Sequence, residues 1–265
     1  MRAFAEGLLF ADTVAGKLAP PRALTDKAPG PVVFFSAPAR PPGLEIQPGR
    51  KVRVPPIAGM RDPSQRARIL HALANHELQA AELCAWALCA FPAAPAAFRR
   101  GLVSVLADEQ RHMALYLDRL AAHGAALGDF PVTGHFWNKL GAVREPLAFV
   151  ATLGLTFENA NLDFSLEYAA AAAAAGDHAT AAVLETVHRE EIRHVKLAYR
   201  WLTALKPATQ SPLAAYTEHV AWPLSLARAR GKVLHVPSRI AAGLDPELIA
   251  ALAAAHPIRP GGGSR

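Results

Sequence analysis

Asp108-Glu109-Gln110-Arg111-His112 and Glu190-Glu191-Ile192-Arg193-His194 are two copies of one pattern, acid-Glu-x-Arg-His, each inside a segment whose apolar residues recur with helical period. Residues i and i+3 of a helix share a face, so Glu109 with His112, and Glu191 with His194, each offer a carboxylate and an imidazole to one point. Two Glu-x-x-His helices, each partnered by a helix carrying a lone inward Glu, make the ligand pattern of dinuclear-metal carboxylate bundles. The pattern reads first as a metal site.

Chance alone gives roughly 0.5 Glu-x-x-His matches in a chain of this Glu and His content, so a single one would mean little. Three occur, the third being Glu185 with His188. The first two stand apart because both have an acid before the Glu, Arg before the His and Leu three positions after it, at Leu115 and Leu197. They lie 82 positions apart, which reads as an internal repeat of a helix pair. Glu185 and His188 precede the second motif by a spacing that is not a whole number of turns, so they are expected on another face, as a surface pair.

Each motif then needs a lone Glu level with it on the antiparallel partner helix. The first hairpin turns at Phe91-Pro92-Ala93-Ala94-Pro95, where Pro92 stops one helix and Pro95 suits the start of the next. The centre of the first motif lies about 17 residues beyond that turn, and equal rise places its mirror near Glu77, with Glu82 more than a turn away. The second hairpin turns at Ala175-Gly176-Asp177, with Gly as stop and Asp as N-cap, and its mirror position falls at Glu158.

The predicted ligands are Glu77, Glu109, His112, Glu158, Glu191 and His194. Four carboxylates balance two divalent ions, whereas an empty site would bury repelling charges. Oxygen and imidazole donors without thiolate favour iron, or manganese and mixed iron–manganese pairs, over structural zinc or copper(I). Asp108 and Glu190 are placed to accept hydrogen bonds from the non-ligating N–H of ligand histidines on neighbouring helices. Tyr116, one turn after His112, falls on the metal face; it reads first as core packing, with a pocket hydrogen-bond donor or redox partner as the alternative, and Trp86 and Phe157 have the same two readings, core again leading.

Asn75-His76-Glu77-Leu78-Gln79-Ala80-Ala81-Glu82-Leu83, the Phe91–Pro95 turn, Asp108–His112, Gly128-Asp129-Phe130-Pro131-Val132, Thr156-Phe157-Glu158-Asn159-Ala160-Asn161-Leu162-Asp163 and Arg193-His194-Val195 together resemble the bacterial ferritin-like family known as domain of unknown function 455. The similarity runs from about Lys17 to Trp201. It implies a ferritin-like four-helix bundle with a dinuclear metal site and supplies no substrate. Glu190 departs from the family pattern, which would have the shorter Asp there.

The expected fold is all-α: a Pro-rich N-terminal arm with an initial helix over residues 1–63, a four-helix bundle with a long crossover over 64–206, and C-terminal helices with a flexible tail over 207–265. Half of the 22 prolines fall in 20–63, which rules out regular helix there; Pro31-Val-Val-Phe-Phe suggests a short strand-like piece. Bundle helices are expected near 64–91, 96–123, 145–175 and 178–206, and the roughly 20 residues between the second and third are long enough to cross the bundle. At 265 residues and 52% hydrophobic content there is enough chain for a sizeable core. No uninterrupted apolar run suits a membrane span, and Glu6 and Asp12 break any signal-peptide core, so a cytoplasmic protein with no membrane association is expected. Cys84 and Cys89, five positions apart on one helix, point in different directions and read as small core residues.

A net charge of +6 is concentrated in Arg50-Lys51-Val52-Arg53, Arg61, Arg66, Arg68 and Arg228-Ala-Arg-Gly-Lys232. Without interleaved aromatics or a nucleic-acid motif these read as a solvated basic surface, which makes nucleic acid a minor expectation and keeps a tRNA-modifying hydroxylase among the alternatives. The leading function is a di-iron oxidase or oxygenase that activates O2 to oxidise a small organic substrate, with an electron donor as a further partner. The alternatives are an iron-handling ferroxidase or store, against which the long arms and basic balance speak, and a non-enzymatic metal-braced binding protein.

Overall fold

In the computed structural model, which describes residues 1–47, 49, 52–221 and 223–256, the chain is all-helical, with no strand among those residues. Arg50, Lys51 and the tail expected from Pro260 lie outside them. The chain divides into two compact units, Met1–Val143 with Ala170–Val183, and Arg144–Ala169 with Leu184–Arg265. No described helix is long and apolar enough to cross a membrane.

The first unit is built on α3 (Pro63–Ala90) and α4 (Ala96–Ala122), packed along each other. Asp62 starts α3 by accepting the amides of Ser64 and Gln65, with Pro63 preset for the first turn. Buried Arg99, near the start of α4, donates to the carbonyls of Leu88 and Phe91 at the end of α3, where unpaired acceptors gather, and pairs with Asp26 at 2.8 Å. Leu44, Leu78, Met113 and Val132 form a buried cluster that draws the arm and the crossover onto this hairpin. Cys84 and Cys89 are buried free thiols, and burial pushes Cys89 up to about 11.

The single helix expected at the N-terminus is two, α1 (Arg2–Leu9) and α2 (Val14–Lys17), because the Thr13 side chain accepts the Gly16 amide and starts a new helix. Pro31–Phe35 is not strand. Its backbone is used singly by the end of α3: Val33 N–H donates to Cys89 O, and the Trp86 indole donates to Phe35 O. Trp86 is thereby a core residue, edge-on to Phe91.

Further along, the crossover follows one face of α3. The Gly128 amide donates to His71 Nε2, Asn75 Nδ2 to Thr133 O, the Phe136 amide to Gln79 Oε1, and the Trp137 indole to Glu82 Oε2. His71, Asn75, Gln79 and Glu82 follow the i, i+4, i+8, i+11 spacing of one helix stripe, so the segment runs beside α3 for about three turns. Gly128 sits at φ +106°, a conformation that few residues but Gly adopt. A 3-10 turn, Trp137–Ala142, closes the crossover.

The second unit holds α5 (Pro146–Thr152), a π-helical segment (Leu153–Glu158), the start of α6 (Asn159–Ala174), most of α7 (His178–Leu205), and α8 (Pro212–His219), α9 (Val236–Ala241) and α10 (Pro246–Ala254). The helix expected over 145–175 is thus broken by the π segment. Buried Asp163 ties the C-terminal segment down, accepting both forks of Arg239 at 2.7 and 2.9 Å and the amides of Gly231 and His235. Breaking a buried ion pair of this kind leaves an uncompensated charge.

Candidate metal centre

In the first unit, Glu77 on α3 and Glu109 and His112 on α4 are all buried, and each offers one ligand atom within 4.8 Å of the others. His112 Nδ1 lies 3.6 Å from Glu109 Oε2 and 3.9 Å from Glu77 Oε2. Ligand atoms about 2.1 Å from a common ion stand at most about 4.2 Å apart, so small side-chain rotations suffice to close this group on a cation. The three residues could hold a metal ion.

Glu82, five positions after Glu77, has a different environment. It is fully buried, with Lys17 Nζ at 2.9 Å, Arg40 Nη2 at 2.7 Å and the Trp137 indole at 2.9 Å. Two cations compensate its charge within the protein, which separates it chemically from Glu77. Burial lowers the Lys17 ammonium from its ordinary pKa, and Glu82 opposes that shift.

In the second unit, Glu158, Glu191 and His194 form a matching group, buried and with ligand atoms within the same 4.8 Å. His194 Nδ1 lies 3.0 Å from Glu191 Oε2, and Asn161 Nδ2 donates to Glu191 Oε1 at 3.1 Å. Glu158 closes the π-helical segment. π turns inside α-helices widen the helix locally and re-aim side chains, and they recur at functional sites. The segment's Thr156 hydroxyl bonds the Ala151 carbonyl and the buried Tyr216 hydroxyl, at 2.9 Å each. Gly154 meets α7 so closely that an added Cβ would stand 2.2 Å from Ala198 Cβ.

Half-buried Asp108 accepts from Arg111 at 2.8 Å, and Glu190 has Arg193 at 3.7 Å. Tyr116 is buried on α4, one turn beyond His112, and Phe157 is half-buried in the π segment. The expected surface pair of Glu185 and His188 is split: Glu185 is exposed, but His188 is buried between the hydroxyls of Ser165 at 3.1 Å and Ser238 at 3.0 Å. Rotation off the motif face carried His188 toward another packed element rather than into water. Sequence reasoning missed the π segment, Asn161 and Tyr216. Of these only Asn161 had a usable signal, since it lies i+3 from Glu158 and so shares its face.

The sequence profile of the family described as protein of unknown function (DUF455) matches residues 6–250. The chain belongs to that family. The match takes in every candidate ligand in both units and stops short only of the two chain ends. No curated protein and no solved structure matches the chain.

Proposed function

We propose that the two helix pairs pack as a ferritin-like four-helix bundle over residues 64–206, flanked by the arm over 1–63 and the C-terminal helices over 207–265, and that this joins the two Glu-Glu-His groups into one dinuclear centre. The observation that supports it is the pair of buried triads, Glu77, Glu109, His112 and Glu158, Glu191, His194, each made of one copy of the repeated motif and one Glu from the preceding helical segment. Together they would give two cations four carboxylates and two imidazoles, a neutral set that suits iron first and manganese or a mixed pair second. The reading is of a cytoplasmic di-iron oxidase or oxygenase acting on a small organic substrate, with O2 and an electron donor as its other partners.

Bound iron would supply the reduction of O2. The chain's own residues would do the rest. The carboxylates hold the charge, Asp108 and Glu190 accept the free imidazole N–H groups and fix the tautomer of His112 and His194, and Tyr116 offers a buried phenol near the ligands. Burial of all six ligands keeps bulk water from the donors. Titration of metal-free protein with Fe(II) in air tests the reading. An oxidase saturates near two irons per chain and then idles without substrate; continued oxidation with uptake far beyond two would make the protein an iron store and overturn it.

A further inference from the structure

A second feature lies wholly within the first unit and shares no residue with the triads. Where the arm and the crossover meet α3 there is an open cleft of about 170 Å³, lined by Val52, Arg53, Val54, Arg68, His71 and Phe130 among others. A single water needs only about 10–15 Å³ of such space, so the cleft is sized for a small organic molecule.

Its polar side is cationic. The Arg68 guanidinium carbon lies over the Phe130 ring, 5.0 Å from its centre, a cation–π contact that engages no N–H donor. Neither Arg68 nor Arg53 is paired with a carboxylate among the described residues. This contrasts with Arg66, which reads as part of the same basic run in sequence but is buried against Asp177 and the Met60 carbonyl. His71 Nε2 accepts the Gly128 amide, so the neutral ring carries its proton on Nδ1, and the ring stands edge-on to Phe130. Burial lowers the His71 pKa, against the pull of nearby Asp129. That acid is occupied in its own loop, where it accepts the Ala126 amide at 2.7 Å. The other side of the cleft, Val52, Val54, Phe130 and Pro131, is apolar.

We propose that this cleft binds a small phosphorylated organic molecule, its phosphoryl group between Arg53 and Arg68 and its organic part against Phe130 and the two valines. Two guanidiniums bring two positive charges, which match the −1.5 to −2 or so of a phosphomonoester at neutral pH, whereas a carboxylate would leave one uncompensated. The small volume and the apolar wall favour a compact ligand over a nucleic-acid strand, which binds along extended, cationic, aromatic-studded grooves.

Calorimetric titration of the full-length protein at fixed ionic strength, with phenyl phosphate as probe, tests this. Saturable binding is expected, weakened about ten-fold or more by Arg53→Ala and by Arg68→Ala, both at exposed positions, with unchanged melting temperatures. Phe130→Ala should weaken phenyl phosphate more than inorganic phosphate, because it removes the apolar wall as well as the ring beside Arg68. Absence of saturable binding, or binding that neither arginine change affects, overturns the proposal. Inorganic phosphate binding as tightly as phenyl phosphate overturns the assignment of the apolar wall, and tighter arginine-dependent binding of a short RNA overturns the small-molecule ligand.

Discussion

In the first hairpin the lone Glu77 stands on an unbroken α-helix, 13 residues before its end at Ala90, and Glu109 stands 13 residues after the start of α4 at Ala96. In the second, Glu158 closes a π-helical segment 16 residues before Ala174, level by count with His194, which lies 16 after His178, rather than with Glu191. The close approach of Gly154 to Ala198 agrees with that register, because Gly154 precedes Glu158 by four positions and Ala198 follows His194 by four. Both hairpins nevertheless bring two carboxylates and an imidazole within 4.8 Å. The repeated motif therefore specifies the donors, while the level of the lone Glu is set separately in each copy, by the turn and by which small residues let two backbones close up.

The turns differ in the same spirit. The first is tied by a cation, Arg99, over the carbonyls that end α3. The second is tied by an anion, Asp177, which caps the start of α7 through the Thr180 amide and gathers Arg66, Arg119 and His123 around it. Each charge suits the helix terminus it serves, negative at an N-terminus and positive at a C-terminus.

The comparison breaks most visibly at the two acids of α3. Glu82→Ala strands Lys17 and Arg40, both buried, and should cost about 3–5 kcal/mol of stability while the folded protein still takes up metal. Glu77→Ala should do the reverse, losing metal with little change in the melting temperature of the metal-free protein. Thermal melts paired with metal analysis check both, and metal loss on Glu82→Ala with retention on Glu77→Ala would sink the ligand assignment.

Next in size is Gly154→Ala. A Cβ placed 2.2 Å from Ala198 Cβ must push the π segment off α7, an overpacking change that costs about 1–3 kcal/mol. If Gly154 sets the register of Glu158, occupancy of metal should fall along with stability. Gly7→Ala in α1, where an added Cβ meets nothing within 4 Å, is the control and should be neutral or slightly stabilising. Full metal loading in a destabilised Gly154→Ala protein would detach the register from that contact.

The second turn should reveal itself in acid. Burial alone would raise the Asp177 carboxyl, but the Thr180 hydroxyl and amide, His123 and Arg119 outweigh it and hold it at about 2, against an ordinary 3.8. Because the folded value is the lower one, the stabilisation is complete above the unfolded pKa and is lost as pH falls toward the folded one. It amounts to about 2 kcal/mol between about pH 4 and pH 2. The stability advantage of the wild type over Asp177→Asn should shrink across that window, and a constant difference would show that the turn owes nothing to this charge.

Helix limits near 63–90, 96–122 and 178–205 were legible because proline, Gly176, Asp177 and the apolar period act locally. Equal rise also put Glu77 rather than Glu82 level with the first motif, and Glu77 offers a carboxylate oxygen within 4.8 Å of Glu109 and His112. The π segment was not, since Leu153–Glu158 is an ordinary apolar run and the widening depends on what packs against it. The burial of His188 was equally hidden, because Ser238 lies 50 positions away. The fates of Arg66 and Arg68 diverge for the same reason: two positions apart on α3, one meets Asp177 and the other a phenyl ring, partners that only tertiary structure supplies.

The smallest effect concerns the acids that precede the two motif glutamates, where the copies differ by one methylene. Asp108 holds Arg111 at 2.8 Å, while Glu190 stands 3.7 Å from an Arg193 that is 61% exposed, so neither ion pair should contribute more than about 0.5 kcal/mol to stability. If these acids also fix the ligand imidazoles, Asp108→Asn and Glu190→Gln should each weaken metal binding by about ten-fold, some 1.4 kcal/mol, with the metal-free melting temperature unchanged. Glu190→Asp separates charge from reach. It keeps the carboxylate and shortens the arm to that of Asp108, so binding that survives Glu190→Asp but not Glu190→Gln would place the requirement on the charge. Equal loss in both would place it on the longer side chain, and no loss in any of the three would reduce these acids to surface partners of Arg111 and Arg193.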